Sequence, residues 1–383
     1  MIPAPLPAPG RLRQVAVTVA TPALRSSVGT SSGTHEQRRV AYVHIRTDDG
    51  EGVGEVAAMD MVVGDDPSLD AVLQSLESTW LPKLLLAAEA RQGSCPGSHL
   101  IASLGATTGI DKMVVAAIEM AVLDLELRCA DRSLASWLNV DVGGVPFGIV
   151  VGIPSDHSED AVLDRAARGV EAGASRIRLK VARGFSESPA RLVINALDVP
   201  VQVDANGAFG LDQRGDLDPE LAALDAVGAV CIEQPVAGRD LTVMAAVKER
   251  LETALCLDET VRGVQQVRDI IRYRAADLLC IKPGRMGGMR PALGALELAR
   301  DAGLRCFIGG MFETGLGRAS LGVLSQHAAA SLVSDVSAPT TYLTEDPCEL
   351  EPPDGRLQPL WSGAGVGPHP LGRHLQTIVQ VAP

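Results

Sequence analysis

RIRLKVA (176–182), VQVDANG (201–207), VCIEQP (230–235), LCLDET (255–260) and LCIKPGRMGG (279–288) each run from apolar residues into one decisive charged side chain. Those side chains are Lys180, Asp204, Glu233, Asp258 and Lys282, and their successive residue numbers differ by 24, 29, 25 and 24. Each interval fits one strand plus one helix. A chain that repeats this unit builds a parallel sheet, because parallel strands need a crossover of that length. Closed into a β/α barrel, the sheet brings all five charges to the carboxyl-terminal rim, where barrel active sites are built. An open doubly wound sheet is the rival architecture, but it does not naturally gather five successive strand ends around one point.

Outward from these segments, FGIVVGI (147–153) and RCFIGG (305–310) supply further strands, and SLVSDV (331–336) a weaker eighth. Amphipathic helices such as EDAVLDRAARGVEAGA (159–174) and VQQVRDIIRYRA (264–275) lie between them. Before residue 140 the rhythm differs. QVAVTVATPAL (14–24), VAYVHIRTDD (40–49) and GEGVGEVAAM (50–59) read as strands, the first two joined by a Gly/Ser/Thr-rich loop. Two helical stretches follow, 69–90 and 111–138, the second with Ile118, Val122, Leu125 and Cys129 on one stripe. The expected division is a flexible Pro/Ala tail over 1–12, an α+β capping domain over 13–140, a catalytic barrel over 141–345, and a segment over 346–383 that returns to the cap.

The 383 residues fit one large domain plus a smaller one, and 46% apolar content is enough for a substantial core. A net charge of −13 without a basic patch argues against nucleic acid as a partner. No run is long and apolar enough for a membrane span, and MIPAPLPAPGRLRQ lacks the apolar centre of a signal peptide. Seven cysteines, with no CxxC, read as reduced core fillers in a cytoplasmic protein. The histidines form no metal-ligand or catalytic spacing.

Asp204, Glu233 and Asp258 each close an apolar strand, where an uncompensated charge is costly to bury. Each alone could cap a helix or meet a basic residue. On consecutive strands they would repel one another unless a cation lies between them, and hard oxygen donors suit Mg²⁺, with Mn²⁺ as a substitute. Arg178 and Lys180 are two apart and share a strand face, so the arginine is expected to ease deprotonation of the lysine. Lys282 falls across the rim. A small-molecule carboxylate bound between the lysines would lose its α-proton to one of them while the metal stabilises the enediolate. GGMFETGLGRAS (309–320) opens a helix, and Gly309 and Gly310 allow close backbone approach there.

The ordered set KVA, DAN, IEQP, LDET, IKPGRMGG and GGMFETGLGRA resembles the muconate-lactonizing subgroup of the enolase superfamily, and within it the o-succinylbenzoate synthases and N-acylamino acid racemases. AAIEMAVLDLELR (116–128) and PLWSGAGVG (359–367) extend the resemblance. The resemblance implies a modified TIM-type (β/α)7β barrel, capped by an α+β domain from both chain ends. It implies Asp204, Glu233 and Asp258 as metal ligands and Lys180 as the reactive lysine of a Lys-x-Lys motif. Lys282 becomes the opposing base in a racemase or a stabilising cation in a synthase. Asn206 and Glu259 follow as support, with Arg25, Met311, Glu313 and the two glycines as further supporting or substrate-binding positions.

Three features depart from the pattern. Arg178 stands where the first lysine is usual, Val150 where a serine is frequent, and AMDMVVGDDPS (58–68) lacks the usual aromatic and Ser-rich run. Muconate cycloisomerase, dipeptide epimerase and a non-catalytic binding barrel are the alternatives, and a homo-oligomer is expected.

Overall fold

The computed structural model describes residues 3–7, 9–30, 33–102 and 104–383. The first block contains β1 (Leu12–Ala20), β2 (Ala23–Thr30), β3 (Gly33–Gln37), β4 (Val40–Thr47) and β5 (Glu51–Glu55). The second contains β6 (Val145–Pro146), β7 (Gly148–Val151), β8 (Arg176–Lys180), β9 (Val201–Asp204), β10 (Ile232–Glu233), β11 (Leu255–Leu257), β12 (Leu278–Ile281) and β13 (Arg305–Ile308). Two more follow, β14 (Leu357–Gln358) and β15 (Gln376–Val381).

Strands β7 to β13 form one parallel sheet in sequence order, as the strand–helix period predicts. Its closure is irregular. Residues 330–336 lie between β13 and β7 without forming a regular strand: the Gly148 amide donates to Ser334 (2.8 Å) and the Asp335 amide to Ile308 (2.9 Å). The eighth element therefore exists as a bridging segment. The fold is a modified TIM-type barrel with a capping domain.

Alternation along the strands sorts the side chains. Ile177, Leu179, Val201, Val203, Leu257 and Ile281 belong to the aliphatic core shared with the surrounding helices. Cys231, Cys256, Leu278, Cys280 and Phe307 pack as a separate small cluster on the barrel's inner side. The strand thiols are thus core fillers, but three of them floor the barrel interior rather than joining its outer layer.

The cap sheet runs β15–β1–β4–β5, so the end of the chain pairs with its beginning. Helix Gly109–Cys129 lies against this sheet and is buried nearly all round from Met113 to Leu127, whereas Cys129 is exposed. The apolar stripe expected on that helix is therefore only part of its contact surface. Gly52 and Gly54 let β5 approach it: a Cβ on Gly54 would fall 2.0 Å from the Ala117 carbonyl. The expected helix over 69–90 contains a π-helical segment at Leu76–Trp80, just before Pro82 enters the next α-helical turn. Among the described residues of the expected tail, Leu6 is buried in the main core and the Pro3 carbonyl accepts from Arg290 (3.4 Å). No helix among the described residues is long and apolar enough to cross a membrane.

Glu55, at the end of β5, joins cap to barrel. It accepts from the Thr314 amide (2.8 Å), the Thr314 hydroxyl (2.8 Å) and the Gly317 amide (2.9 Å), capping helix Gly315–Leu324. Burial, with help from nearby Glu313, pushes its carboxyl up to about 8. A carboxyl that stays protonated in the folded chain but ionises near 4.5 when unfolded favours folding at low pH, and that contribution is lost as pH rises. The loss falls between about pH 4.5 and 8 and then levels. Glu55→Gln is therefore expected to show a smaller decline in urea-unfolding stability across this window than the native chain. Identical slopes would contradict the assignment.

Candidate active site

All five charged side chains reach one end of the barrel. Lys180, Asp204 and Glu233 terminate β8, β9 and β10, while Asp258 and Lys282 directly follow β11 and β12. Register explains the convergence: Lys180 is level with Asp204, and Asp204 with Glu233. The three carboxylates are fully buried or nearly so.

Each lysine has its own carboxylate. Lys180 donates to Asp204 Oδ2 (2.6 Å) and Asn206 Oδ1 (2.6 Å), and keeps about a fifth of its side chain exposed (21%). Lys282 donates to Asp258 Oδ2 (2.7 Å) and is buried. Burial opposes the charge on Lys282, but Asp258 outweighs it and holds the ammonium above the ordinary lysine value. The two lysines are separated by β9, β10 and β11 and face a shared cavity of about 410 Å³.

Arg178 lies among the carboxylates. Its Nε donates to Glu233 Oε2 (2.7 Å), and its Nη2 is 2.8 Å from Asp204 Oδ2, 3.2 Å from Asp258 Oδ2 and in contact with Glu233 Oε1. Burial raises Glu233 well above the ordinary carboxylate range, and Asp204 and Asp258 add to the rise against the pull of Arg178. Burial also disfavours ionised Asp258, yet Arg285, Lys282 and Arg178 together hold it well below its usual value. For Asp204, Lys180 and Arg178 similarly overcome desolvation and lower the pKa.

Hard oxygen donors of this kind suit a divalent cation. One oxygen from each carboxylate contacts Arg178 Nη2, but of the three only Glu233 and Asp258 bring donor atoms within 4.8 Å of each other, and Asp204 stands farther off. The Cys280 thiol lies within 4.8 Å of the Glu233 and Asp258 donor atoms, but burial and then Asp258 keep it protonated, which makes it a poor ligand.

The other expected residues divide into two sets. Asn206 links Lys180 to Glu259 through a 2.9 Å hydrogen bond from its amide, and both Asn206 and Glu259 line the cavity. Gly310 and Met311 line it as well. Gly309 matters by what it lacks, since a Cβ there would fall 2.4 Å from Cys280 Sγ and 2.8 Å from Lys282 Cε. Glu313 instead braces the loop, accepting from the Met311 amide (2.8 Å) and pairing with Arg318 (3.3 Å). Arg25 is exposed and donates to the Thr340 (2.6 Å) and Leu343 (3.0 Å) carbonyls, steadying the segment whose Thr341 and Tyr342 form cavity wall.

Several participants escaped the sequence reading. Asp335 accepts from Arg176 (2.5 Å) and Arg178 (3.2 Å). Arg285, inside GRMGG, contacts Asp258 and donates to Asp66 (2.6 Å) from the cap. An acid in the irregular eighth element and an arginine just past a site lysine were the available signals. Val150 is level with Arg178, faces the cavity and is 39% exposed, leaving an apolar wall there.

Residues 161–370 match the family described as Enolase C-terminal domain-like. The chain is 33% identical over 351 residues to an N-succinylamino acid racemase of Amycolatopsis sp, covering 91% of this chain and 92% of the relative. It is 28% identical over 340 residues to an o-succinylbenzoate synthase of Bacillus subtilis, covering 87% and 86% of the two chains. A solved enolase-superfamily member from Enterococcus faecalis superposes with a TM-score of 0.82 at 25% identity, covering 98% of this chain and 99% of that one.

If Gly309 makes room for Lys282, Gly309→Ala should lower kcat about 10-fold or more by moving that ammonium, since small misplacements are costly in catalysis. Its unfolding midpoint should change far less, and an unchanged kcat would remove this role. Strand order, the convergent carboxylates and the match over residues 161–370 together place this chain in the enolase superfamily.

Proposed function

We propose that the protein removes the proton α to a substrate carboxylate through an enediolate, acting as an N-succinylamino acid racemase. The observation that carries this reading is the pair of lysines, each held by a different carboxylate of the same triad on opposite sides of one cavity. Racemisation needs such a pair: one amine takes the α-proton from one face, and the opposing ammonium returns a proton to the other. Lys180, held by Asp204 and Asn206 and partly exposed, suits the base role for one enantiomer. Lys282, buried and kept charged, suits the proton donor, and the roles exchange for the other enantiomer.

Asp204, Glu233 and Asp258 would hold the divalent cation, with Mg²⁺ preferred and Mn²⁺ able to replace it. When bound, that cation supplies Lewis-acid stabilisation of negative charge on the substrate carboxylate. The cap closes over the same space, where Met59 and Val63 form part of the cavity and limit water. Val150 offers apolar contact to the acyl portion of the substrate. Seven free thiols support a reducing, cytoplasmic setting.

A second reading, o-succinylbenzoate synthase, rests on relatives that carry that name. It uses the same proton abstraction, followed by loss of hydroxide as water with Lys180 returning the proton and Lys282 remaining a cation.

In D₂O, each enantiomer of an N-succinylamino acid should exchange its α-proton and racemise. Lys180→Ala and Lys282→Ala should each abolish racemisation, by about 10²-fold or more, while retaining exchange of only the enantiomer whose α-proton faces the remaining lysine. Dehydration assayed in parallel separates the synthase. Full activity in both assays after loss of Lys180 would contradict the mechanism.

A further inference from the structure

Arg178 does more in this structure than stand beside Lys180. A single nitrogen, Nη2, meets one oxygen from each of Asp204, Glu233 and Asp258, the three side chains proposed above to hold a metal. Of the rest of the guanidinium, Nε donates to the same Glu233 through Oε2 (2.7 Å), and only Nη1 is held outside the triad, by Asp335 Oδ2 (3.2 Å). The group is buried, lies 5.9 Å from the Phe307 ring centre and cannot lose its proton. A dication drawn in between Glu233 and Asp258 cannot share that space with Nη2, because contact distance and like charge both oppose it.

We propose that Arg178 is the resident counter-cation of the carboxylate triad, and that metal binds by exchange with its Nη2. Resting on the metal-site reading above, this inference adds a positioning role for Arg178. Arginine suits the role because its fork can span several carboxylates, whereas a lysine ammonium is a point charge on a flexible stem. Asp335 provides a hold for the guanidinium once Nη2 leaves the triad, so Arg178 remains paired in either state. The triad therefore stays assembled without metal, and the cost of displacing Arg178 lowers metal affinity.

The test compares the native chain, Arg178→Lys and Arg178→Met after treatment with chelator. Mg²⁺ is titrated calorimetrically, Mn²⁺ is followed by electron paramagnetic resonance, and thermal unfolding is measured in EDTA. The expected order of metal affinity is Met above Lys above Arg, with Arg178→Met at least about 10-fold tighter than the native chain. In EDTA, Arg178→Met should unfold several degrees lower than the native chain, and saturating Mg²⁺ should close most of that gap. The lysine variant keeps a buried charge and tests the affinity shift even if the methionine variant does not fold. Affinities within twofold of one another, or weaker binding after removal of the arginine, would overturn the exchange while leaving the metal site intact. Absence of binding in every variant would overturn the metal-site reading and the exchange together.

Discussion

Three carboxylates buried at one point are the constraint on which the site depends. Water cannot stabilise charge on Asp204, Glu233 or Asp258, which are at most 1% exposed: cations hold Asp204 and Asp258 ionised, whereas burial favours the neutral form of Glu233. Lys180, Lys282, Arg178 and Arg285 supply those cations, each from a defined position near the barrel rim. Removing one partner of such a buried pair is expected to cost about 3–5 kcal/mol, because the other charge remains buried and unpaired. The charged groups that suit proton transfer are therefore also required for the folded rim.

The same economy extends into the cap. Asp66 reaches from the 58–68 loop to Arg285 and Arg262, so the loop is tied to the rim through the arginine that contacts Asp258. Glu55 ties β5 to the helix that follows the Gly309–Thr314 loop. Arg38, wholly buried, donates to the carbonyls of Ala58 (2.6 Å) and Met311 (3.4 Å) and so spans cap and barrel. These contacts support one preferred placement of the cap over the cavity, although both Arg262 Nη atoms, Glu259 Oε2 and Glu313 Oε2 are buried there without a hydrogen-bond partner.

The barrel and its five main charges were legible because each was local: an apolar run, one charged residue and an interval of 24 to 29 residues to the next. SLVSDV reads only as a weak strand, and Asp335 was hidden because its partners Arg176 and Arg178 meet it only when the barrel closes. The Asp66–Arg285 pair was hidden for a related reason, since it joins the cap loop to the far end of the barrel sequence. Helix Gly109–Cys129 shows the limit of periodicity. Glu119, Asp124 and Glu126 are buried and accept backbone amides from Met289, Val53 and Ser98 respectively. A stripe rule assigns acids to solvent unless it can see the distant donors that satisfy them.

Chemistry and fold meet most directly in the cation requirement of the triad. Calorimetric titration of Mg²⁺ into chelator-treated protein, beside an Asp258→Asn variant, tests it. The account predicts a single bound Mg²⁺ per chain in the native protein and its loss in the variant. Equal Mg²⁺ binding by both proteins would contradict the claim that these carboxylates converge to hold a cation.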